Sequence, residues 1–357
     1  MIISNFKKYY SIYPLSILYG MGVYFRNKLF DFGILKEESF PIPIINVGNI
    51  TVGGTGKTPH TEYIVDLLTK SGYKVGVLSR GYKRKSNGFQ LAGGNSTASQ
   101  IGDEPFQIFS KFPNIILAVD SDRVRGIKNM LSLATPPQVI VLDDAYQHRY
   151  VKPGLNILLT DYNRLFFEDL LLPAGRLREQ SSAKKRADII VVTKCINPRK
   201  EEKEYIKKSI NPTNNQSLFY TGFEYGELTP IKDGNNHKPT NDCQILIISG
   251  IAMPETFENE IKNNFTVADK INYPDHHDYD NATFEEIKYK FKNLKNKEKA
   301  IIVTEKDAVK IKENYDINDA IMDNIYYLPL QIKILDNQTA FFNQKITDYV
   351  AKNQRNG

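Results

Sequence analysis

The sequence predicts an α/β protein with a doubly wound parallel sheet, and three observations support this fold class. Between residues 42 and about 215, short runs of Ile, Val and Leu alternate with helical patterns. A glycine-rich loop lies between the first of these runs and a helical pattern, and a second alternating series begins near residue 243. Alternation of this kind is typical of helices packed on both faces of a parallel sheet. We therefore expect an α/β/α core followed by a smaller C-terminal α/β/α domain.

The N-terminal segment, residues 1–40, is predicted to contain an amphipathic helix that lies in a membrane interface. Residues 9–25 carry no charge, are rich in tyrosine and lie between Lys8 and Arg26. This stretch is short and polar for a membrane-spanning helix, which needs about 20 predominantly apolar residues. It also lacks the small-residue cleavage site of a secretory signal. Apolar aromatic sequence with basic flanks suits an interfacial helix, and a helix that packs on the core is the alternative.

The core domain is predicted for residues 41–216. Its strands are almost continuous runs of Ile, Val and Leu, as expected of parallel strands that are buried on both faces. These strands are predicted at 43–47, 74–79, 114–119, 138–144, 156–161 and 188–194. A helix is predicted at 58–72, with His60 on its surface.

A linker is predicted for residues 217–242, with paired extended strands followed by a polar loop that has no apolar anchor. The C-terminal α/β domain is predicted for residues 243–357. Its strands are expected at 244–250, 265–273, 299–307 and 325–330. Its helices are expected at 254–264, 283–294 and 338–352.

The composition limits the possible functions. Hydrophobic residues make up 41% and charged residues 25% of the chain, which is ordinary for a soluble globular protein. Cys195 and Cys243 are too few for a disulfide framework and have no metal-type spacing, which fits a reducing compartment. The net charge of +6 is spread along the chain, so it favours anionic partners such as phosphates or acidic lipid and does not indicate nucleic-acid binding.

The stretch VGNITVGGTGKTP, residues 47–59, is predicted to bind the phosphates of a nucleotide. Such a loop needs small residues, so that backbone N–H groups can point at phosphate oxygens, and a helix must follow it. Thr51 replaces the first glycine of the common pattern, but Lys57 can reach the β- and γ-phosphates and the Thr58 hydroxyl can contact Mg²⁺. The core is therefore predicted to be P-loop NTPase-like. Its nucleotide-binding residues are Thr51, Val52, Gly53, Gly54, Thr55, Gly56, Lys57 and Thr58.

An acidic pair is predicted to complete the nucleotide site. Asp143 and Asp144 follow four apolar residues at the end of a predicted strand. P-loop proteins hold Mg²⁺ with an acidic residue at such a position, and two adjacent carboxylates repel each other unless a cation lies near them. A surface turn is the alternative. Together with the loop, the pair predicts a site for ATP or GTP with Mg²⁺.

Seven motifs occur in an order that resembles the tetraacyldisaccharide 4′-kinase family, the lipid A 4′-kinases of Gram-negative bacteria. The motifs are VGNITVGGTGKTP, SRGY (79–82), GDEP (102–105), LDDAYQHR (142–149), LPAGRLRE (172–179), YPDHH (273–277) and TEKDAVK (304–310). In this family a threonine begins the phosphate loop, so Thr51 is no departure. Ala145, Tyr146 and Arg176 differ from the commonest spelling of these motifs.

The resemblance implies a function. Members of the family transfer the γ-phosphate of ATP to the 4′-hydroxyl of a tetraacylated glucosamine disaccharide 1-phosphate, giving lipid IVA at the cytoplasmic face of the inner membrane. The expected partners are this lipid and the membrane surface, with no nucleic acid and no obligate protein partner. The implied fold is a P-loop core, a smaller C-terminal α/β/α unit and a two-stranded linker.

The resemblance also implies catalytic roles for Asp103 and His276. A sugar hydroxyl is a poor nucleophile, so a carboxylate must lie within hydrogen-bond distance of it. Asp103 matches the family's base, and His276 matches the histidine that orients it, as in triad logic. Such a pairing would join the two domains across the cleft. The alternative for Asp103 is a helix cap.

Residues in further motifs are expected to bind substrate or phosphate, because forked arginine donors suit phosphates. They are Arg80, Tyr82, Arg123, Arg178 and Glu179, the last of which could also assist Mg²⁺. Exposed surface charge is the alternative for each. Two other functions stay open: a nucleotide-dependent switch for a membrane partner, and a soluble metabolite kinase. The first leaves Asp103 and His276 unexplained, and the second leaves the N-terminal segment without a role.

Overall fold

The computed structural model describes residues 12–354, except for residues 233, 235, 236 and 276. Within this part of the chain, the strands in chain order are β1 (Ile44–Asn49), β2 (Val75–Ser79), β3 (Gln90–Leu91), β4 (Ile116–Val119), β5 (Val139–Asp143), β6 (Leu155–Asp161), β7 (Ile189–Thr193), β8 (Ser217–Tyr225), β9 (Thr229–Pro230), β10 (Gln244–Ser249), β11 (Thr266–Asn272), β12 (Lys299–Thr304), β13 (Ile325–Leu328) and β14 (Leu330–Ile334).

The helices of the described residues lie between these strands and at both ends of the chain. In chain order they are α1 (Tyr13–Asp31), α2 (Lys57–Lys70), α3 (Ala98–Ile101), α4 (Asp103–Lys111), α5 (Arg123–Leu131), α6 (Lys200–Ile210), α7 (Glu255–Asn264), α8 (Asn281–Lys292), α9 (Glu305–Asn314) and α10 (Thr339–Gln354). Short 3₁₀ helices occur at Phe166–Glu168, Ser181–Arg186 and Ala320–Asn324.

The larger sheet has the strand order β14-β8-β7-β6-β1-β5-β2-β4-β3. The strands from β8 to β4 are parallel, and β3 and β14 pair antiparallel at the two edges. β1 is buried along its whole length, as its apolar sequence predicts. The strands β2 to β5 lie on one side of β1, and the strands from β6 onwards in this sheet lie on the other. The carboxyl end of β1 is therefore the topological switch point, which is where α/β sheets bind ligands.

The C-terminal end of the chain returns to the larger sheet, so the predicted boundary of the second domain at 243–357 is wrong for its last part. β14 pairs with β8 from Leu330 to Ile334, and α10 buries apolar side chains in the same core as α2. Pro329 separates β13 from β14, so the single strand predicted at 325–330 is two strands in different sheets. A local apolar pattern defines a strand or helix but not the sheet to which it belongs.

The smaller sheet has the order β11-β10-β12-β13-β9, and α7, α8 and α9 belong to this unit. Its predicted elements are present, but the strand predicted at 299–307 ends at Thr304. The Thr304 side chain accepts a hydrogen bond from Asp307 N at 3.2 Å and so caps α9.

In the predicted linker, β8 extends the larger sheet and β9 joins the smaller one. The paired strands β8 and β14 therefore connect the two units.

Helix α1 buries Ser16, Gly20 and Phe30 and exposes most of its other apolar residues. Ser16 Oγ accepts from Ala174 N at 2.9 Å, and a Cβ on Gly20 would lie 2.6 Å from Leu171 Cδ1. The exposed apolar side chains of this region are Tyr13, Leu15, Ile17, Leu18, Tyr19, Met21, Tyr24, Phe25, Leu29, Phe32 and Ile34. A core-packing helix has the opposite arrangement.

No helix among the described residues combines the length and hydrophobicity that crossing a bilayer requires.

Candidate active site

The phosphate loop follows β1 at the centre of the larger sheet, and residues 51–58 lie in this loop or in the first turn of α2. Gly56 has a φ of 82° directly before α2, a conformation that favours glycine. Asn49 Nδ2 donates to Thr55 Oγ1 at 2.7 Å, and the Thr193 hydroxyl donates to the Thr55 carbonyl at 2.9 Å. The loop is thus held from β1 and β7, with the N-terminus of α2 available to an anion.

The predicted motif at 172–179 lies directly against the phosphate loop. Val52 N donates to the Arg176 carbonyl at 2.8 Å, and Arg178 N donates to the Ile50 carbonyl at 2.8 Å. This antiparallel contact directs Arg178 towards the acidic pair. The sequence predicted both motifs but not that they pair through their backbones, because their separation along the chain carries no signal of contact.

Asp143 lies at the carboxyl end of β5 and is buried. It accepts hydrogen bonds from Ser79 Oγ at 3.0 Å and from Thr61 Oγ1 at 3.3 Å. Burial, together with the neighbouring charge of Asp144, raises the pKa of Asp143 above its usual value. The side chain is therefore positioned by neutral donors and is sensitive to any cation that approaches.

The pKa of Asp144 is shifted in the opposite direction. Its carboxylate lies 3.7 Å from Lys57 Nζ and 2.9 Å from Arg178 Nη2. Burial acts against ionisation, but the charges of Lys57 and Arg178 lower the pKa of Asp144 below its usual value. The backbone φ of 49° turns Asp144 away from the line of β5. Asp144 is thus the member of the pair whose charge is directly neutralised by neighbouring cations.

Glu104 belongs to the same cleft, although the sequence did not single it out. Burial raises the pKa of Glu104 to about 7, and Asp143 adds to the effect while Lys57 and Lys306 oppose it. These interactions place the Glu104 carboxyl near both the phosphate-loop lysine and the acidic pair. Its position directly after Asp103 in GDEP is the signal that could have identified it.

Arg123 is buried at the start of α5. Its Nη1 donates to the carbonyl oxygens of Asp120 at 3.1 Å and Ser121 at 3.2 Å. Within the described part of the chain, its Nε has no hydrogen-bond partner. Burial lowers the pKa of Arg123 to about 10, and Asp143 and Asp144 oppose this shift. The guanidinium is therefore charged at neutral pH and interacts electrostatically with the acidic pair.

Arg80 and Tyr82 follow β2 and are exposed. The charge of Arg80 contributes to lowering the pKa of both Arg123 and His148, so Arg80 lies within electrostatic range of them. Burial, followed by the charge of Arg123, lowers the pKa of His148 to about 4. The charges of the predicted arginines Arg80, Arg123 and Arg178 thus act on one cleft, whereas a ligand contact of the exposed Tyr82 stays a prediction.

Asp103 is the first residue of α4 and faces the smaller unit. The N-cap position is held by Gly102 and Asp103 is the first residue of the helix, so Asp103 is not the cap residue. Lys310 Nζ, from α9, lies 2.7 Å from Asp103 Oδ2. His276 lies outside the described residues, so its predicted pairing with Asp103 stays a prediction. The next residue, His277, stacks on Tyr273 with ring centroids 4.1 Å apart.

Glu179 is buried beneath α1, and its carboxylate is held by three residues. It accepts from Asn27 Nδ2 at 2.8 Å, from Gln147 Nε2 at 3.0 Å and from Arg186 Nη2 at 2.9 Å. These contacts attach the N-terminal helix to the core. A substrate or metal role for Glu179 stays a prediction.

His60 is buried, so its predicted surface position is wrong. Its Nδ1 lies 2.6 Å from the Gly56 carbonyl oxygen, which can only accept, so Nδ1 carries the proton. Its Nε2 lies 3.0 Å from Thr221 Oγ1 of β8. The face of α2 that carries His60 is covered by β8 and β14, which the sequence did not predict in this sheet. Burial lowers the pKa of His60 to about 4.

Comparison with known proteins identifies the family to which this cleft belongs. The model of a family described as tetraacyldisaccharide-1-P 4′-kinase matches residues 9–350. The chain belongs to the tetraacyldisaccharide 4′-kinase family.

Relatives in this family are similar over almost their whole length. The tetraacyldisaccharide 4′-kinase of Phocaeicola vulgatus is 48% identical over 354 residues, covering 97% of this chain and 96% of the relative. That of Bacteroides thetaiotaomicron is 46% identical, covering 97% and 94%. The crystal structure of LpxK from Aquifex aeolicus in complex with ATP is 29% identical with a TM-score of 0.73, covering 95% of this chain and 98% of that one. The fold class, the family and the kinase activity predicted from the sequence are therefore confirmed.

Proposed function

We propose that the protein transfers the γ-phosphate of ATP to the 4′-hydroxyl of an acylated glucosamine disaccharide 1-phosphate, giving lipid IVA. The family match over residues 9–350 carries this proposal. The geometry supports it, because the phosphate loop, Asp144 and Arg178 meet at the carboxyl end of β1. Phosphoryl transfer depends chiefly on positioning and charge stabilisation, which such a cationic cleft supplies.

Mg²⁺ is proposed to bind with ATP through Thr58, Asp143 and Asp144. Oxygen ligands of this kind suit the ion, and the acidic pair stands at the carboxyl end of β5 beside the phosphate loop, with Asp144 3.7 Å from Lys57 Nζ. Among the described residues, no three acidic, histidine or cysteine side chains form a ready-made metal site. This fits an ion that is held by one or two carboxylates together with nucleotide phosphates. When bound, it would neutralise charge on the phosphates.

Asp103 is proposed to accept the proton of the 4′-hydroxyl, with His276 as the residue that orients it. Asp103 precedes Glu104, whose carboxyl interacts with Lys57, so the start of α4 borders the nucleotide cleft. Arg80, Tyr82, Arg123, Arg178 and Glu179 are proposed to contact the phosphates or the substrate. The arginine charge around the cleft supports this for an acceptor that itself carries a phosphate.

The protein is proposed to act at the cytoplasmic face of the inner membrane as a peripheral protein. The outward apolar side of α1 supports this, since an interfacial helix buries such a face among lipid. Two open cavities, of about 220 and 340 Å³, lie between α1 and the segment around Gln180. Neither nucleic acid nor an obligate protein partner is part of the proposal.

The test is a kinase assay with defined substrates. Purified protein is mixed with Mg-ATP and acylated disaccharide 1-phosphate in detergent micelles, and the lipids are analysed by mass spectrometry. We expect a bisphosphorylated lipid whose formation requires both substrates. ATP hydrolysis that proceeds without the lipid and yields no bisphosphorylated product would favour the nucleotide switch instead.

A further inference from the structure

Lys310 of α9 reaches from the smaller unit into the contact with α4. Its side chain is almost completely buried, with 5% of its surface exposed. Its Nζ has two acceptors, Asp103 Oδ2 at 2.7 Å and the His277 carbonyl oxygen at 3.0 Å. The first acceptor belongs to the larger unit and the second to the smaller unit. One ammonium group therefore joins the two.

His277, which supplies the second acceptor of Lys310, is held by its side chain. The His277 ring is stacked on Tyr273, packs edge-on against Tyr279 at 5.2 Å, and its Nε2 lies 3.1 Å from Thr283 Oγ1. These contacts restrain His277 and therefore also the position of its backbone carbonyl oxygen. Burying an ammonium group is costly unless it is paired and hydrogen-bonded, so this lysine needs both acceptors.

Two further contacts hold α9 on either side of Lys310. Glu313, three residues later, accepts from Ala98 N at 3.0 Å. Glu305, at the start of α9, lies 2.7 Å from Lys111 Nζ at the end of α4. Because α9 is fixed to the larger unit at both ends, Lys310 cannot shift without breaking this contact.

We propose that Lys310 is a positioning residue, which holds the Asp103 carboxylate in the orientation that accepts the proton of the acceptor hydroxyl. The inference rests on the proposed function. In the reaction, the hydroxyl oxygen bonds to the γ-phosphorus, the bond from that phosphorus to ADP breaks, and the hydroxyl proton moves to Asp103. Lys310 transfers nothing. With Oδ2 held by Lys310, rotation of the carboxylate is restricted, which maintains the geometry that a general base requires.

The first test compares Lys310→Met and Lys310→Arg with the wild type in the lipid kinase assay. We expect Lys310→Met to lower kcat at least about tenfold, because a general base that is poorly oriented loses part of its contribution to the rate. The KM for ATP should stay within about threefold of the wild-type value, because Lys310 contacts Asp103 and His277, which lie outside the phosphate loop. Lys310→Arg should recover part of kcat, because it keeps a cation there. Lys312→Met, an exposed position on the same helix, is the matched control and should leave kcat unchanged.

The second test places Lys310→Met in an Asp103→Asn background. If Lys310 acts through Asp103, the double variant should lie within about twofold of Asp103→Asn, since coupled residues are not additive. Losses that multiply would overturn the inference, and so would a Lys310→Met variant with normal kcat.

Should Lys310→Met melt below the assay temperature, Lys310→Gln takes its place with the same expectations. A wild type that forms no bisphosphorylated lipid would overturn the proposed function itself, whereas an active wild type with an active Lys310→Met variant would overturn only this inference.

Discussion

Lys57 is the residue at which the phosphate loop and the acidic pair meet, since its Nζ lies 3.7 Å from Asp144. Lys57→Ala should lower kcat by about 10²–10³-fold or more, because the transferring phosphoryl group loses a preorganised cation. The rate of lipid phosphorylation measures the effect. Lys70→Ala, at the exposed end of the same helix, is the control and should retain full activity. An active Lys57→Ala variant would contradict the nucleotide site.

Asp103 is the second residue whose proposed role can be measured directly. Asp103→Ala should lower kcat by roughly 10²–10⁴-fold, the usual contribution of a general base. The affinity for ATP should change little, because the Asp103 carboxylate is paired with Lys310 of α9, which lies outside the phosphate loop. Calorimetric titration with ATP and steady-state kinetics separate the two quantities. Near-normal turnover would remove the assignment of Asp103 as the base.

His60 should make stability depend on pH. Its pKa is about 4 in the folded protein, against an ordinary value of 6.5. The stabilisation is therefore fully present above pH 6.5 and is lost as pH falls towards 4. Since one pKa unit corresponds to about 1.4 kcal/mol, the total is about 3 kcal/mol.

The measurement compares Tm at pH 7 and pH 5 for the wild type and His60→Gln. The wild type should lose more stability on acidification than the variant, which takes up no proton at this position. His237→Gln, in an exposed loop, is the matched control and should behave like the wild type. Equal pH dependence of His60→Gln and the wild type would contradict the depressed pKa of His60.

At the scale of elements, α1 is defined by an exposed apolar face. Leu18 and Phe25 are 64% and 60% exposed. The double variant Leu18→Glu/Phe25→Glu should reduce binding to vesicles of anionic phospholipid several-fold, because charges on this face oppose burial among lipid. Co-sedimentation measures the bound fraction. Ile196→Glu changes a comparably exposed side chain outside α1 and should leave binding unchanged. If both variants bind like the wild type, α1 does not contact the membrane.

The elements that sequence predicts well here are those whose own residues determine their environment. The buried strands of the larger sheet are almost uniformly apolar, and the phosphate loop contains its own small residues, so both were predicted with nearly correct bounds. α1 was predicted because an uncharged, tyrosine-rich stretch lies between basic residues. In each case the signal is local.

Contacts between distant segments were not predictable in the same way. The return of β14 and α10 to the larger sheet, the pairing of Arg178 with the phosphate-loop backbone and the burial of His60 all depend on segments far apart in the chain. Propensity and periodicity describe a segment but not its neighbours. Glu104 was missed for the same reason, since its environment is created by Lys57 and Asp143.

At the scale of the whole molecule, an ion triad joins the two units. Lys111 Nζ lies 2.7 Å from Glu62 Oε2 of the larger unit and 2.7 Å from Glu305 Oε1 of the smaller unit. Burial raises the pKa of Glu62 to about 7, which Lys111 opposes. Lys111→Met should therefore destabilise the protein by about 3 kcal/mol, the usual cost of leaving a buried charge unpaired.

The loss caused by Lys111→Met should depend on pH. Without the lysine, the pKa of Glu62 rises further above that of the unfolded chain, so stability is retained at low pH and lost as pH rises through the folded value. Urea unfolding should show a larger difference from the wild type at pH 8 than at pH 6. Adding Glu62→Gln to Lys111→Met should recover part of the loss, because the buried carboxylate is then absent. A loss that is equal at both pH values would contradict this account.

The chain leaves the larger sheet after β8 and re-enters it at β14, and Gly226 N donates to the Pro329 carbonyl at 2.9 Å. The smaller unit is therefore an insertion whose two ends touch. The two adjacent strands form a connection with little slack, and the contacts of α9 with α4 hold the insertion against the larger unit. Excising it and closing the gap with a short turn should leave a core that still folds, since domains with neighbouring ends are readily inserted or removed.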